Sequence, residues 1–229
     1  MKEREWLHGI GFRKRSGAHD GWGPIRPPSG LSGWGGNIWQ SPVVFHSALG
    51  LRPGLLHWVD RLRTAGHDVH APDLYDGEVF DDAVGAITKI QELGFDEILL
   101  RSQVSVAPLC QELVYIGFSN GGACAELLAA TRPGARGVVL IGAPLPIRDL
   151  GWTVRPEGVP VQIHFGAMDP RRNERVVGDF ASRFRRAGAA VEEHVYLTAM
   201  HHFADPHWSG YDAAAESMFQ NLLAFLAAI

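Results

Sequence analysis

A serine hydroxyl, an imidazole and a carboxylate suffice for nucleophilic acyl transfer, provided one chain brings them into a hydrogen-bonded line. The serine is Ser119, set in Gly117-Phe-Ser-Asn-Gly121, a G-x-S-x-G pattern. Its glycines have a steric reason. A nucleophile on a tight strand-to-helix turn holds strained backbone, so the residues two before and two after it must be small. A serine hydroxyl barely ionises near neutral pH and needs a base within hydrogen-bond reach. Imidazole, titrating at about pH 6.5, suits that role, and activity would then rise with pH as it loses its proton. His201 and His202 are the candidate bases, and the pattern alone does not separate them. Asp169 is the candidate carboxylate, which would fix the imidazole tautomer and support its cation. The competing reading of Asp169 is a helix N-cap ahead of Pro170.

These residues need elements to position them. The apolar run 113–118 reads as a strand entering the serine turn, and 123–130 reads as the helix leaving it. Upstream lie a short strand at 42–46 and a loop at 47–54. A helix follows from Leu55 to about Thr64, with Leu55, Leu56, Val59 and Leu62 inward and Gly66 closing it. A strand at 68–74 and a helix from about Phe80 to Leu93 come next. Residues 94–112 are ambiguous, although 96–101 could add a helix. Downstream, strands are expected at 137–143, 159–165 and 191–197, with helices at 171–187 and 212–228. Such alternation argues for an α/β chain built on an open, mostly parallel sheet with helices on both faces.

In sheets of that kind, ligands sit beyond the carboxyl ends of the strands. Ser119, Asp169 and the loop 198–203 each follow a strand. Their order, Ser then Asp then His, is the order of triads on α/β-hydrolase sheets and differs from the two common serine-protease orders. The expected fold is therefore the α/β-hydrolase fold. The interval between Ala143 and Val159 holds Pro144, Pro146, Gly151 and Pro156 and is too short for a cap domain. An open site covered only by loops is expected.

An oxyanion needs two N–H donors. The residue after the nucleophile, Asn120, supplies one, and the loop after the first strand the other, with Ala48 favoured over Ser47 or Leu49. His46, Ser47, Leu49, His202 and Trp208 are possible pocket-lining residues. The cluster His201, His202, Asp205 and His207 resembles a metal site, but no matching ligand group elsewhere completes it. No phosphate loop or dinucleotide fingerprint occurs. No metal or cofactor is expected.

The chain has 229 residues, a formal net charge of −4 and a pI near 6.2, which gives no reason to expect nucleic acid or an anionic membrane as partner. No run has the length of a transmembrane helix and no signal peptide is evident, so a cytoplasmic protein is the default. Cys110 and Cys124 read as small buried side chains. Residues 1–40 differ from the rest, holding nine of the 27 glycines, four of the seven tryptophans and six basic against three acidic residues. They read as a disordered or non-native extension, and 41–229 as one domain.

Three segments resemble the dienelactone hydrolase family of α/β-hydrolases. Val43-Val-Phe-His-Ser-Ala-Leu-Gly-Leu51 with Ala71-Pro-Asp-Leu-Tyr-Asp-Gly77 is similar to its opening strand, loop and following strand. Gly117-Phe-Ser-Asn-Gly-Gly122 resembles its nucleophile turn. Tyr196-Leu-Thr-Ala-Met-His-His-Phe203, with Tyr211-Asp-Ala-Ala-Ala215, resembles its histidine loop and last helix. The resemblance implies a hydrolase of small esters or lactones. It also selects His201 as the base, because the family's histidine lies two residues before a Phe. The best-known members carry a cysteine nucleophile and a glutamate in the first loop, where this chain has Ser119 and Ser47. That difference implies an ordinary Ser–His–Asp cycle. The alternatives are an acyltransferase using the same three residues and a non-catalytic binding protein of the same fold. Oligomeric state is not readable.

Overall fold

The computed structural model describes residues 41–144, 158–198, 201–206 and 213–229. The expectations for residues 1–40, for the interval 145–157 and for Trp208 lie outside the described residues. The described elements run β1 (Ser41–Phe45), α1 (Pro53–Thr64), α2 (Ala83–Leu93), α3 (Phe95–Val106), β2 (Leu113–Phe118) and α4 (Gly121–Thr131). They continue with β3 (Gly137–Ile141), β4 (Val161–Gly166), α5 (Glu174–Arg186), β5 (Val191–Tyr196) and α6 (Ala213–Ala228). All strand pairs are parallel, in the order β1-β2-β3-β4-β5. This is the expected α/β arrangement.

The central strands are apolar on both faces, and their alternation sorts side chains into two cores. Val43, Phe45, Leu113, Tyr115, Val138 and Leu140 point to the layer that α2 to α5 cover. Val44, Val114, Ile116, Val139 and Ile141 point to the opposite layer, covered by α1 and α6. A fully buried Val, Leu or Ile stabilises the fold by about 1.5–3 kcal/mol, so these strands anchor everything at their ends. Helix α4 is buried along Gly121–Ala129. Its small residues let it lie close to the sheet directly after Ser119.

Local sequence explains the element boundaries. Pro53 opens α1, where its missing N–H is not needed, and Arg61 and Arg63 sit in the last turn, favourable to the helix dipole. Gly66 follows with φ +99°, as expected of the closing glycine. Helix α2 begins after Asp82, whose side chain accepts from Gly85 N at 2.8 Å, rather than at Phe80. Helix α5 begins after Asn173, which accepts from Arg175 N and Val176 N, rather than at residue 171. Residues 95–106 resolve into a helix, α3.

Two expectations are corrected. The strand at 68–74 reduces to a single parallel bridge between His70 and Val43. Pro72 has no N–H to continue a ladder, and Asp73 turns the chain by accepting from Tyr75 N at 2.9 Å and from Gly77 N. Cys124 is buried, but Cys110 is exposed, because it lies in the turn after α3 with its thiol beside Glu112 O. Among the described residues, no helix is long and apolar enough to cross a membrane.

Candidate active site

Ser119 sits at the end of β2 with φ +49°, a left-handed conformation strained for any residue with a Cβ. Its N–H donates to Ile141 O on β3 at 2.8 Å, which locks the turn to the sheet. The flanking glycines are sterically required. A Cβ on Gly117 would lie 2.4 Å from Gly121 O, and one on Gly121 would lie 2.5 Å from both Phe45 O and His46 O. The turn is thus wedged between α4 and the end of β1. Ser119 faces a small cavity of about 30 Å³.

The other two residues arrive from β4 and β5. His201 Nε2 lies 2.7 Å from Ser119 Oγ, and His201 Nδ1 lies 2.7 Å from Asp169 Oδ2. The second Asp169 oxygen accepts from Arg171 N at 2.8 Å. Asp169 therefore does not cap α5; Asn173 does. With a carboxylate at Nδ1, the proton resides on that nitrogen, and Nε2 is left to accept from the serine hydroxyl. Burial alone would raise the Asp169 carboxyl. The hydrogen bond and charge of His201, with the Arg171 backbone and side chain, outweigh it and hold the carboxyl below its usual value.

The loops carrying these residues are laced to each other and to α1. Ala167 N donates to Tyr196 O at 2.7 Å and Met168 N to Thr198 O at 3.1 Å. Phe203 is buried against Tyr196. Trp58 Nε1 on α1 donates to Ala204 O. Arg52, just before α1, pairs with Asp205 at 3.5 Å and with Asp81 at 2.6 Å.

The structure distributes the remaining expected residues unevenly. Ser47 and His202 line the cavity. Burial, aided by the charges of His201 and Arg171, lowers the His202 pKa to about 3. His46 and Leu49 do not line it. His46 is a buried strut: its Nδ1 donates to Ser47 O at 2.8 Å, its Nε2 accepts from Leu74 N at 3.0 Å, and its ring packs edge-on to Tyr75. Burial lowers its pKa. Leu49 turns into the core as its N–H donates to Ser47 Oγ at 3.2 Å. That bond also removes the Leu49 N–H as an oxyanion donor. Among the described residues, the N–H groups of Asn120 and Ala48 have no protein acceptor. No cluster of three or more His, Cys, Asp or Glu able to hold a metal occurs among the described residues. Trp58 and Arg52, which the residue pattern does not single out as site residues, line the cavity, and Asp205, weighed there only as a metal ligand, lines it too.

The model of the dienelactone hydrolase family matches residues 36–229. The chain belongs to the dienelactone hydrolase family. Family membership supports hydrolase activity. No curated protein matches the chain in sequence. Among solved structures, it is similar to a protein assigned as a dienelactone hydrolase from Klebsiella pneumoniae subsp. pneumoniae. That likeness has a TM-score of 0.66 at 21% identity, covering 89% of this chain and 91% of that one. A dienelactone hydrolase-like promiscuous phosphotriesterase from metagenomic libraries gives 0.64 at 24% identity, covering 82% and 86%. A Pyrococcus furiosus esterase gives 0.54 at 13% identity, covering 83% of each chain. These likenesses establish the α/β-hydrolase fold.

Proposed function

We propose that this family member is a serine hydrolase cleaving a small carboxylic ester or lactone through an acyl-Ser119 intermediate. The observation that carries the reading is the unbroken line from Ser119 Oγ to His201 to Asp169, with both contacts at 2.7 Å. His201 Nε2 takes the hydroxyl proton as Oγ attacks the substrate carbonyl carbon. The carbonyl π electrons move to oxygen, and the N–H groups of Asn120 and Ala48 stabilise the resulting oxyanion. Collapse breaks the bond to the alcohol oxygen, which leaves with the proton that His201 carried. Water then attacks the acyl-enzyme, giving its proton to His201, and the acid departs as Ser119 recovers its hydrogen. Asp169 holds the imidazole in the working tautomer throughout and stabilises its transient cation.

A panel of short-chain esters and lactones assayed with wild type and Ser119→Ala tests the reading. Turnover of at least one ester by wild type, with loss of about 10³-fold or more in the variant, is expected. Equal turnover by the two proteins excludes the acyl-serine route.

A further inference from the structure

Among the described residues that line the cavity, Arg52 is the one arginine or lysine and Asp205 the one carboxylate. They face each other, with Arg52 Nε 3.5 Å from Asp205 Oδ2, and their side chains are only 11% and 15% exposed. The arginine has further partners. Its Nη1 donates to Phe80 O at 2.5 Å and to Asp81 Oδ1 at 2.6 Å.

Asp205 is equally fixed. Its N–H donates to His202 O at 2.9 Å, and the preceding carbonyl accepts from Trp58. Its carboxylate packs directly on the first turn of α1, where a Cβ on Gly54 would lie 1.7 Å from Oδ1. Only glycine leaves room for it there. The pair is therefore built into the pocket wall, unlike a surface ion pair between two flexible chains. Leu55, Phe118 and Ile141 contribute apolar side chains to the same lining.

We propose that the Arg52–Asp205 pair makes this site selective for uncharged esters or lactones, by cancelling within the wall the positive charge that would otherwise hold a substrate carboxylate. The proposal rests on the hydrolase reading above and names the substrate class of that same site. An incoming carboxylate meets the Asp205 carboxylate at short range in a poorly solvated pocket, where repulsion is weakly screened. Arg52 offers it no compensating attraction, since two carboxylates already share its charge. A neutral ester meets a polar wall with no excess charge of either sign.

The test compares dimethyl glutarate with monomethyl glutarate, a neutral and an anionic ester of the same acid, by pH-stat at neutral pH. Each protein is also labelled with a fluorophosphonate probe. Wild type is expected to favour the diester by at least tenfold in kcat/KM. Asp205→Asn keeps the shape and uncovers the Arg52 charge, so the preference should shrink by tenfold or more. Asp81→Asn removes the exposed partner and should shrink it two- to threefold, and it decides the matter if Asp205→Asn does not fold. A wild type that cleaves both esters equally well overturns the proposal. So does a preference that neither variant moves. Absence of both cleavage and Ser119 labelling removes the hydrolase reading and this proposal with it, whereas charge-blind cleavage by a labelled enzyme removes this proposal alone.

Discussion

His201, half-buried, and His164, fully buried, are each bridged at both ring nitrogens by other side chains, and they are set up for opposite ends. His201 spans Ser119 Oγ and Asp169 Oδ2 at 2.7 Å each. His164, in the middle of β4, spans Tyr196 Oη and Gln162 Oε1 at 2.8 Å each. The first has a carboxylate on one side and a cavity-facing hydroxyl on the other. The second has a phenol and an amide, no exposure at all, and His194 stacked on it. Burial, with the neighbouring His194, lowers its pKa to about 3. Gln162 and Tyr196 extend the network through Asn221 to α6. In the proposed mechanism the same ring and the same two-sided bonding serve as a proton acceptor where a carboxylate and a cavity are present. Where only neutral partners and core are present, they give a neutral strut joining β4, β5 and α6.

Removing each ring in turn separates the two roles. His201→Ala should lower kcat by about 10³-fold or more with little change in melting temperature. Asp169→Asn should lower it by up to about 10⁴-fold, because an amide at Nδ1 permits the wrong tautomer. His164→Leu should do the reverse. It strands polar partners in the core at a cost of about 1–3 kcal/mol, while turnover per folded molecule persists. Denaturant melts alongside steady-state assays separate the two patterns. A His164 variant that melts normally but loses turnover would erase the distinction.

Acid should expose the histidines that burial keeps neutral next. His164 and His202 have folded-state pKa values of about 3, below the ordinary histidine value. Between that ordinary value, about 6.5, and the folded one, the unfolded chain binds more protons than the folded chain. Stability is therefore full above about pH 6.5 and falls as pH drops towards 3, by up to about 1.4 kcal/mol per pH unit for each histidine. Urea melts from pH 7 to 4 should show this slope, and His164→Leu should lessen it by one histidine's share. Tyr196→Phe should cost about 1–3 kcal/mol, because the hydrogen bond with His164 and the one from Asn221 are both lost.

The serine turn was the most legible part of the chain. Its steric demands fall on adjacent residues, so Gly117, Ser119 and Gly121 carry the signal in one short stretch. Strands β1, β2 and β3 were legible because each is apolar on both faces. The stretch at 68–74 misled because its alternation is strand-like, while Pro72 and the Asp73 turn stop the ladder after one bridge. In α1 the buried stripe includes Trp58, the ring that holds the histidine loop, whereas Leu56, read as inward, is 38% exposed. Extending the three- and four-residue spacing from Leu55 and Leu62 reaches Trp58. The pairing of Arg52 with Asp205 left no such trace. It joins residues 153 positions apart in sequence through a packing contact at Gly54. Choosing between His201 and His202 was likewise beyond residue spacing and came from family resemblance.

In the proposed mechanism Ser119 is activated by the ring that faces it and by no other histidine. Fluorophosphonate labelling followed by peptide mapping, in wild type, His201→Ala and His164→Leu, reads that activation out. Rapid modification at Ser119 is expected in wild type and in folded His164→Leu, with near-complete loss of labelling in His201→Ala. Labelling of His201→Ala at the wild-type rate, or a folded wild type that takes up no probe at Ser119, would contradict that mechanism.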